Sequence, residues 1–255
     1  MTAGVCDMRL GRVSVGVLAT GLGLAACGGG GVTTSSYRSV REAIVRSDGR
    51  TIVAEATWGG CQPRPHLVLR GGTSIIRVAL TFPPPLSGNC TTEGRFAPVT
   101  ATLPSPLQHR RLVQLTTGKA VPTVLEADLP KPRGLPPGYH LSTILPTVMA
   151  AGLPSGTLGA TQTYQRSPAS SPDLVLADVP GEHLPTAVHG WRSREITLGA
   201  RPARLLVDQQ PPPFVQRAVA WTAFGQTLEL IARYRPGQPT LPQPALLATA
   251  RSVRP

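Results

Sequence analysis

The sequence predicts a mainly β protein: a small N-terminal antiparallel β-sandwich, then an α+β half in which an antiparallel sheet carries one terminal helix. Three observations predict it. Apolar and polar residues alternate with a period of two along most apolar runs, as on strands with one buried face. Aromatics make up 4% of the 255 residues while prolines number 28, which suits short strands and irregular turns better than long helices. One segment near the C-terminus instead spaces its apolar residues as a helix does.

The chain begins with an apolar, uncharged run, Val13 to Ala26, behind Arg9 and Arg12. About 20 apolar residues are needed to cross a bilayer, so this run is short for a span. It matches the apolar region of a secretory signal peptide, about 7–15 residues long, with its positive flank. Asp7 is unusual in such a flank, and Met8 opens the cleaner start "MRLGR", so Met1 and Met8 both stand as possible initiators.

The run ends Leu24-Ala25-Ala26-Cys27, which resembles the lipobox of bacterial lipoproteins. The resemblance implies that a diacylglycerol is attached to the Cys27 thiol and that residues 1–26 are removed as a lipoprotein signal peptide. The plain alternative is an ordinary signal peptide in which Cys27 stands by chance. Residues 27–36, with Gly28 to Gly31 followed by "VTTSS", read as a flexible tether between lipid and fold. The expected location is the extracytoplasmic face of the cell membrane, with the membrane as partner through Cys27.

With Cys6 removed and Cys27 acylated, Cys61 and Cys90 remain in an oxidising compartment. A disulfide between them would contribute roughly 3–4 kcal/mol in the chain-entropy model. Zinc is the rival, but two cysteines without clustered histidines make a poor site.

Charge is strongly basic, 25 Lys+Arg against 13 Asp+Glu, net +12. Nucleic acid is not expected to meet an exported chain. An anionic surface or an envelope protein could be the partner. GC-rich codon usage explains the Arg excess as well, because only Lys119 and Lys131 are lysines and the arginines are scattered.

Within residues 37–125, "YRSVREAIVR" has Val40, Ile44 and Val45 near helical spacing and predicts a short helix or turn. Alternation comes next. Ile52, Ala54, Ala56 and Trp58 share one face, and Ile76, Val78, Leu80 and Phe82 share another. "HLVLR" precedes the latter across Gly71-Gly72 as a hairpin. Ala97, Val99, Ala101 and Leu103 make a further strand, and "RRLVQL" the next. The order resembles a unit of exported actinobacterial lipoproteins: Asp48-Gly49-Arg50, Gly60-Cys61, Cys90, Pro106-Leu107-Gln108-His109-Arg110 and Thr117-Gly118, with Gln108-His109 departing from the Gly-acidic pair of that unit. No activity comes with this resemblance.

Residues 126–138, "EADLPKPRGLPPG", read as a proline-rich linker. Residues 139–255 resume with "YHLSTIL", "ATQTYQR", "DLVLADV", "TAVHG", "REITLG" and "ARLLVD" as strands. In "QRAVAWTAFGQTLELIARY" two strands flank a turn at Phe224-Gly225. Pro244 opens a helix with Leu246, Leu247, Ala250 and Val253 on one face. The closing strand–turn–strand–helix resembles lipoprotein-carrier and envelope-sensor domains, which implies a curved sheet and, as a second function, carriage of a lipid-like ligand.

Catalytic motifs do not assemble. Ser155 in "GLPSG" is one place out of register for a nucleophile elbow and reads as a turn. "TTGK" at Thr116–Lys119 reads as a hairpin turn, and Ala120 breaks any phosphate loop. His66, His109, His140, His183 and His189 form no helical ligand pair; Glu182 with His183 and His189 is a chance neighbourhood before it is a metal site. Glu55 and Glu229 sit mid-strand, where a solvated face is the default and a groove the alternative. "NCT" at Asn89–Thr91 fits a glycosylation acceptor without meaning for a bacterial chain. Trp191 and Trp221 read as core before pocket. The expectation is a non-enzymatic, lipid-anchored binding or interaction protein without cofactor or metal; the lipid carrier is the alternative, and an enzyme of unfamiliar type the third class.

Overall fold

A computed structural model describes residues 36–85, 94–153, 158–166, 173–185, 188–209, 216–234 and 241–255. Cys27, the signal segment, Cys90, Asn89, Thr91 and Ser155 lie outside them. The first half is built from β1 (Ser36–Arg38), β2 (Ala43–Val45), β3 (Thr51–Trp58), β4 (His66–Arg70), β5 (Ile75–Phe82), β6 (Arg95–Thr102), β7 (Arg111–Gln114) and β8 (Thr123–Leu125). The second continues with β9 (Lys131–Pro132), β10 (Tyr139–Leu145), β11 (Ala160–Arg166), β12 (Asp173–Pro180), β13 (Trp191–Leu198), β14 (Arg201–Asp208), β15 (Arg217–Ala223), β16 (Gln226–Arg233), helix α1 (Gln243–Arg251) and β17 (Val253–Arg254). Over the described residues the chain is mainly β, with antiparallel sheets and one C-terminal helix.

Two four-stranded sheets face each other in the first half. One has the order β1-β5-β4, with β7 also on β5; the other runs β6-β3-β2-β8. The predicted apolar faces meet between them: Ile52, Ala54, Ala56 and Trp58 against Ile76, Val78, Leu80 and Phe82, joined by Val99 and Leu112. The sandwich is not wholly antiparallel, because β7 runs parallel to β5 and β8 parallel to β2. The segment expected as a short helix or turn contributes to β1 and β2 instead. All three residues of β2 are buried, Ala43 and Val45 toward the sandwich and Ile44 toward the second half. A short apolar triplet buried on both faces carries no period-two signal, which is why helical spacing misled.

The second half is one antiparallel sheet in the order β10-β11-β12-β16-β15-β14-β13. The turn between β15 and β16 places Phe224 and Gly225 at φ 60° and 73°, as a two-residue hairpin requires. One face of the sheet, including Leu174, Leu176, Val219, Trp221, Leu228 and Leu230, lies under Leu246 and Ala250 of α1 and Val253. The helix starts at Gln243 and ends at Arg251, so Val253 belongs to β17. On the opposite face Val148 and Leu153 cover Ala177 and Val179, while Trp191 and Val188 pack on Val175, Leu206, Ala218 and Ile231.

The stretch expected as a linker is folded into the structure. Residues Glu126–Asp128 form a 3₁₀ turn, and β9 pairs with β17. Arg133 and Gly134 donate their backbone N–H groups to the carbonyl and the Oγ of Ser252, at 3.1 and 2.8 Å. Leu129 joins Ile44, Val53, Ile144 and Ala160 in a core shared by both halves, and Thr34–Pro255 is one compact unit. The Pro130 carbonyl accepts the Gln162 Nε2–H at 2.7 Å and Pro132 is buried in β9, so proline content alone does not describe residues 126–138. "TAVHG" is not a strand over its described residues, Val188 to Gly190.

Candidate functional site

Four carboxylates are buried among the described residues: Glu229, Glu42, Asp178 and Glu126, the last of which pairs with Arg46 at 3.0 Å. Glu229, in mid-β16, has 0% exposure, so it lies on no solvated face. Its Oε1 accepts the N–H of Ala151 and its Oε2 that of Gly152, both at 2.9 Å. Arg233, two turns of the pleat along on the same face, donates from Nη2 to the Met149 carbonyl at 3.0 Å. Burial pushes the Glu229 pKa up; the two N–H donors and Arg233 pull against that rise. Both carboxylate oxygens are engaged with backbone, which makes Glu229 a clamp on the β10–β11 loop rather than a free base.

Glu42 precedes β2 and Asp178 lies on β12, one from each half. Glu42 accepts the Gly159 N–H on Oε1 at 3.2 Å. A Cβ on Gly159 would lie 2.2 Å from the Asp178 carbonyl oxygen, so only glycine lets the two chains approach. Asp178 is 3% exposed, and its Oδ1 has no hydrogen-bond partner among the described residues. Burial raises both carboxyls to about 7, with the charge of Asp178 adding to the rise at Glu42. Glu42 also lines a cavity of about 290 Å³ with Arg38, Arg41, Glu55 and Thr147.

The remaining sequence candidates separate. All five histidines are exposed, and no group of three His, Cys, Asp or Glu among the described residues could hold a metal. Glu182 accepts the Gly225 N–H at 3.1 Å, while His183 donates its backbone N–H to Thr227 Oγ1 at 2.8 Å. These contacts tie the β12–β13 loop to the β15–β16 hairpin. Thr116 and Thr117 lie in the tight turn after β7, closed by the Gly118 N–H on the Gln114 carbonyl at 2.9 Å, and Lys119 accepts the Gln114 N–H on its carbonyl at 2.7 Å. Trp221 is 1% exposed in the core and Trp191 is half-buried. Cys61, just past β3, is disulfide-bonded, with its partner outside the described residues.

At the far side of the large sheet, β13 is an eight-residue edge strand that, among the described residues, pairs with β14 alone. Arg192, Ser193, Arg194 and Glu195 on it are exposed. Beside it opens a cavity of about 690 Å³ lined by Leu184, Glu195, Ile196, Thr197, Pro202, Ala203 and Arg204. Glu195 and Arg204, opposite each other across the two strands, close one wall with a 3.1 Å ion pair. Among the described residues no second strand pairs with β13, and a sheet edge of that kind next to a hollow can take up an extended chain and seat a side chain.

Comparison with known proteins adds no relative. No protein-family model, curated protein or solved structure matches this chain.

Among the described residues no helix is long and apolar enough to cross a membrane. The space between the sheet and α1 is filled by Leu246, Ala250 and Val253 against Trp221 and its neighbours. Sequence reasoning missed Glu42, Asp178 and the β13 edge. A carboxylate inside "LVLADV", with apolar residues on both sides, was the available signal for Asp178.

Proposed function

We propose that this is a lipid-anchored, non-catalytic interaction protein on the extracytoplasmic face of the cell membrane, which holds an extended segment of an envelope protein along β13. The open eight-residue edge beside the 690 Å³ hollow carries this reading. Strand addition supplies main-chain hydrogen bonds for affinity, and the hollow selects a side chain. The buried acids support it indirectly: Glu229 is engaged with backbone, and Glu42 and Asp178 sit where the halves join, not around a nucleophile. A lipid carrier needs a cavity between sheet and terminal helix, and apolar side chains occupy that position.

Photo-crosslinking in the native membrane tests the reading. A photoreactive residue in place of Arg194 should capture a recurrent protein partner, and the same residue in place of Arg251, on α1, should not. Capture should also need the anchor, and Cys27→Ala should abolish both fatty-acid labelling and capture. No protein adduct at Arg194, with lipid or polymer recovered instead, would overturn the interaction reading.

A further inference from the structure

Another surface bears charges that the β13 edge does not use. The outer face of the β1-β5-β4 sheet, with β7 alongside, looks away from the sandwich core. Register fixes which residues share it. Tyr37, Thr81 and His66 lie in one row, Ala79 and Val68 in the next, then Val113, Arg77 and Arg70, then Arg111 and Ile75. The inward residues, Ile76, Val78, Leu80, Leu67 and Leu112, belong to the core.

The charge on this face is cationic and lies in its last two rows. Arg70, Arg77 and Arg111 are exposed on it, and the four strands contain no Asp or Glu. Arg70 and Arg77 stand directly opposite each other across β4 and β5. Like charges in that relation repel and weaken a sheet, so the pair persists at a cost unless an anion covers it. Arg70 also lies over the Tyr37 ring, 5.8 Å from its centroid, and donates to the Tyr37 hydroxyl at 3.2 Å. Tyr37 is itself exposed, and Val68, Ile75 and Val113 are half-buried between the charges. Guanidinium groups interleaved with a tyrosine and partly exposed aliphatic groups suit a headgroup layer, where charge and apolar surface are both met.

Chain length favours a membrane as the occupant. From Cys27 to Ser36 the sequence is "CGGGGVTTSS", which spans no more than about 30 Å even when fully drawn out. Ser36 is the first residue of β1, an edge strand of this sheet. A lipid on Cys27 therefore keeps this sheet near the bilayer. We infer that the outer face of the β1-β5-β4 sheet, through Arg70, Arg77 and Arg111, lies on the anionic headgroups of the membrane that carries the anchor. The inference rests on the anchored reading of Cys27. It adds an electrostatic contact to the acyl chains, the two-signal arrangement that makes surface attachment stable.

Vesicle flotation tests it without the lipid. The oxidised chain from Gly28 on, which contains the whole compact unit, is mixed with phosphatidylcholine vesicles, either alone or with about one-third phosphatidylglycerol. It should float with the anionic vesicles only, and added salt should release it. The triple change Arg70→Gln, Arg77→Gln, Arg111→Gln should weaken partitioning about a hundredfold, with an unchanged melting temperature showing the fold intact. Equal binding to neutral vesicles, or undiminished binding by the triple variant, would overturn the inference. So would Arg-dependent capture of a soluble anionic polymer or acidic protein without vesicle binding. Fatty-acid labelling of the exported wild-type chain is read separately: its absence would remove the anchor and leave the vesicle result to judge the face alone.

Discussion

Asp178→Asn should change how stability responds to pH. Asp178 sits on β12 with its Oδ1 unpartnered among the described residues, and burial lifts its carboxyl from 3.8 to about 7. Between those values the folded chain holds a proton that the unfolded chain releases. The stability contributed by this site is therefore full below about pH 4 and falls as the pH climbs toward about 7. The loss attributable to Asp178 is about 3–4 kcal/mol over that window, since each tenfold change in proton affinity is worth about 1.4 kcal/mol. Glu42 shifts in the same direction, so the wild-type slope includes both groups. Asparagine has nothing to ionise, and the variant should lose about 3 kcal/mol less than wild type between about pH 4 and 7. The added amide N–H groups can cost about 1–3 kcal/mol if they find no acceptor, but that offset is the same at every pH. The slope is therefore the decisive quantity. Urea titrations followed by tryptophan fluorescence suit it, because Trp221 is in the core. Parallel wild-type and Asp178→Asn curves across the pH range would refute the argument. A further flattening is expected when Glu42→Gln is added.

Two other outcomes are expected from the same geometry. Gly159→Ala should destabilise by about 1–3 kcal/mol in thermal unfolding, because the new Cβ meets the Asp178 carbonyl at 2.2 Å and a Val148 methyl at 2.8 Å; a neutral result would mean that the β11–β12 approach is not as close as described. Non-reducing alkylation of the exported protein should find Cys61 and Cys90 blocked, and reduction should cost roughly 3–4 kcal/mol. Free reaction at Cys90 would assign Cys61 another partner.

The strand faces were legible because each half-buried strand prints its period on the sequence. Ile52, Ala54, Ala56 and Trp58 could be placed together, and they line the sandwich core. So could Val219, Trp221, Leu228 and Leu230 under the helix. The signal failed where burial is two-sided. Ala43, Ile44 and Val45 serve two cores at once and have no polar alternate to mark a strand. It failed again for Glu229, whose environment is set by backbone N–H groups seventy-odd residues away in sequence, at Ala151 and Gly152. Nothing local to "LELIA" distinguishes a carboxylate facing water from one facing a loop that folds over it.

The basic excess shows the same limit from another side. Along the chain the arginines are scattered, which argues against a binding patch when dense runs are the criterion. A sheet assembles its patches across strands, not along them. Residues 70, 77 and 111 fall on three strands, and antiparallel and parallel pairing bring them to adjacent rows of one face. Codon usage can account for arginine being abundant, but it does not select which face of a strand an arginine occupies. On β5 the residues facing the core are apolar while Arg77 faces outward beside Arg70, in four strands without a single carboxylate. Placement, not abundance, is what separates a functional charge from a compositional one, and placement becomes readable only once the register is known.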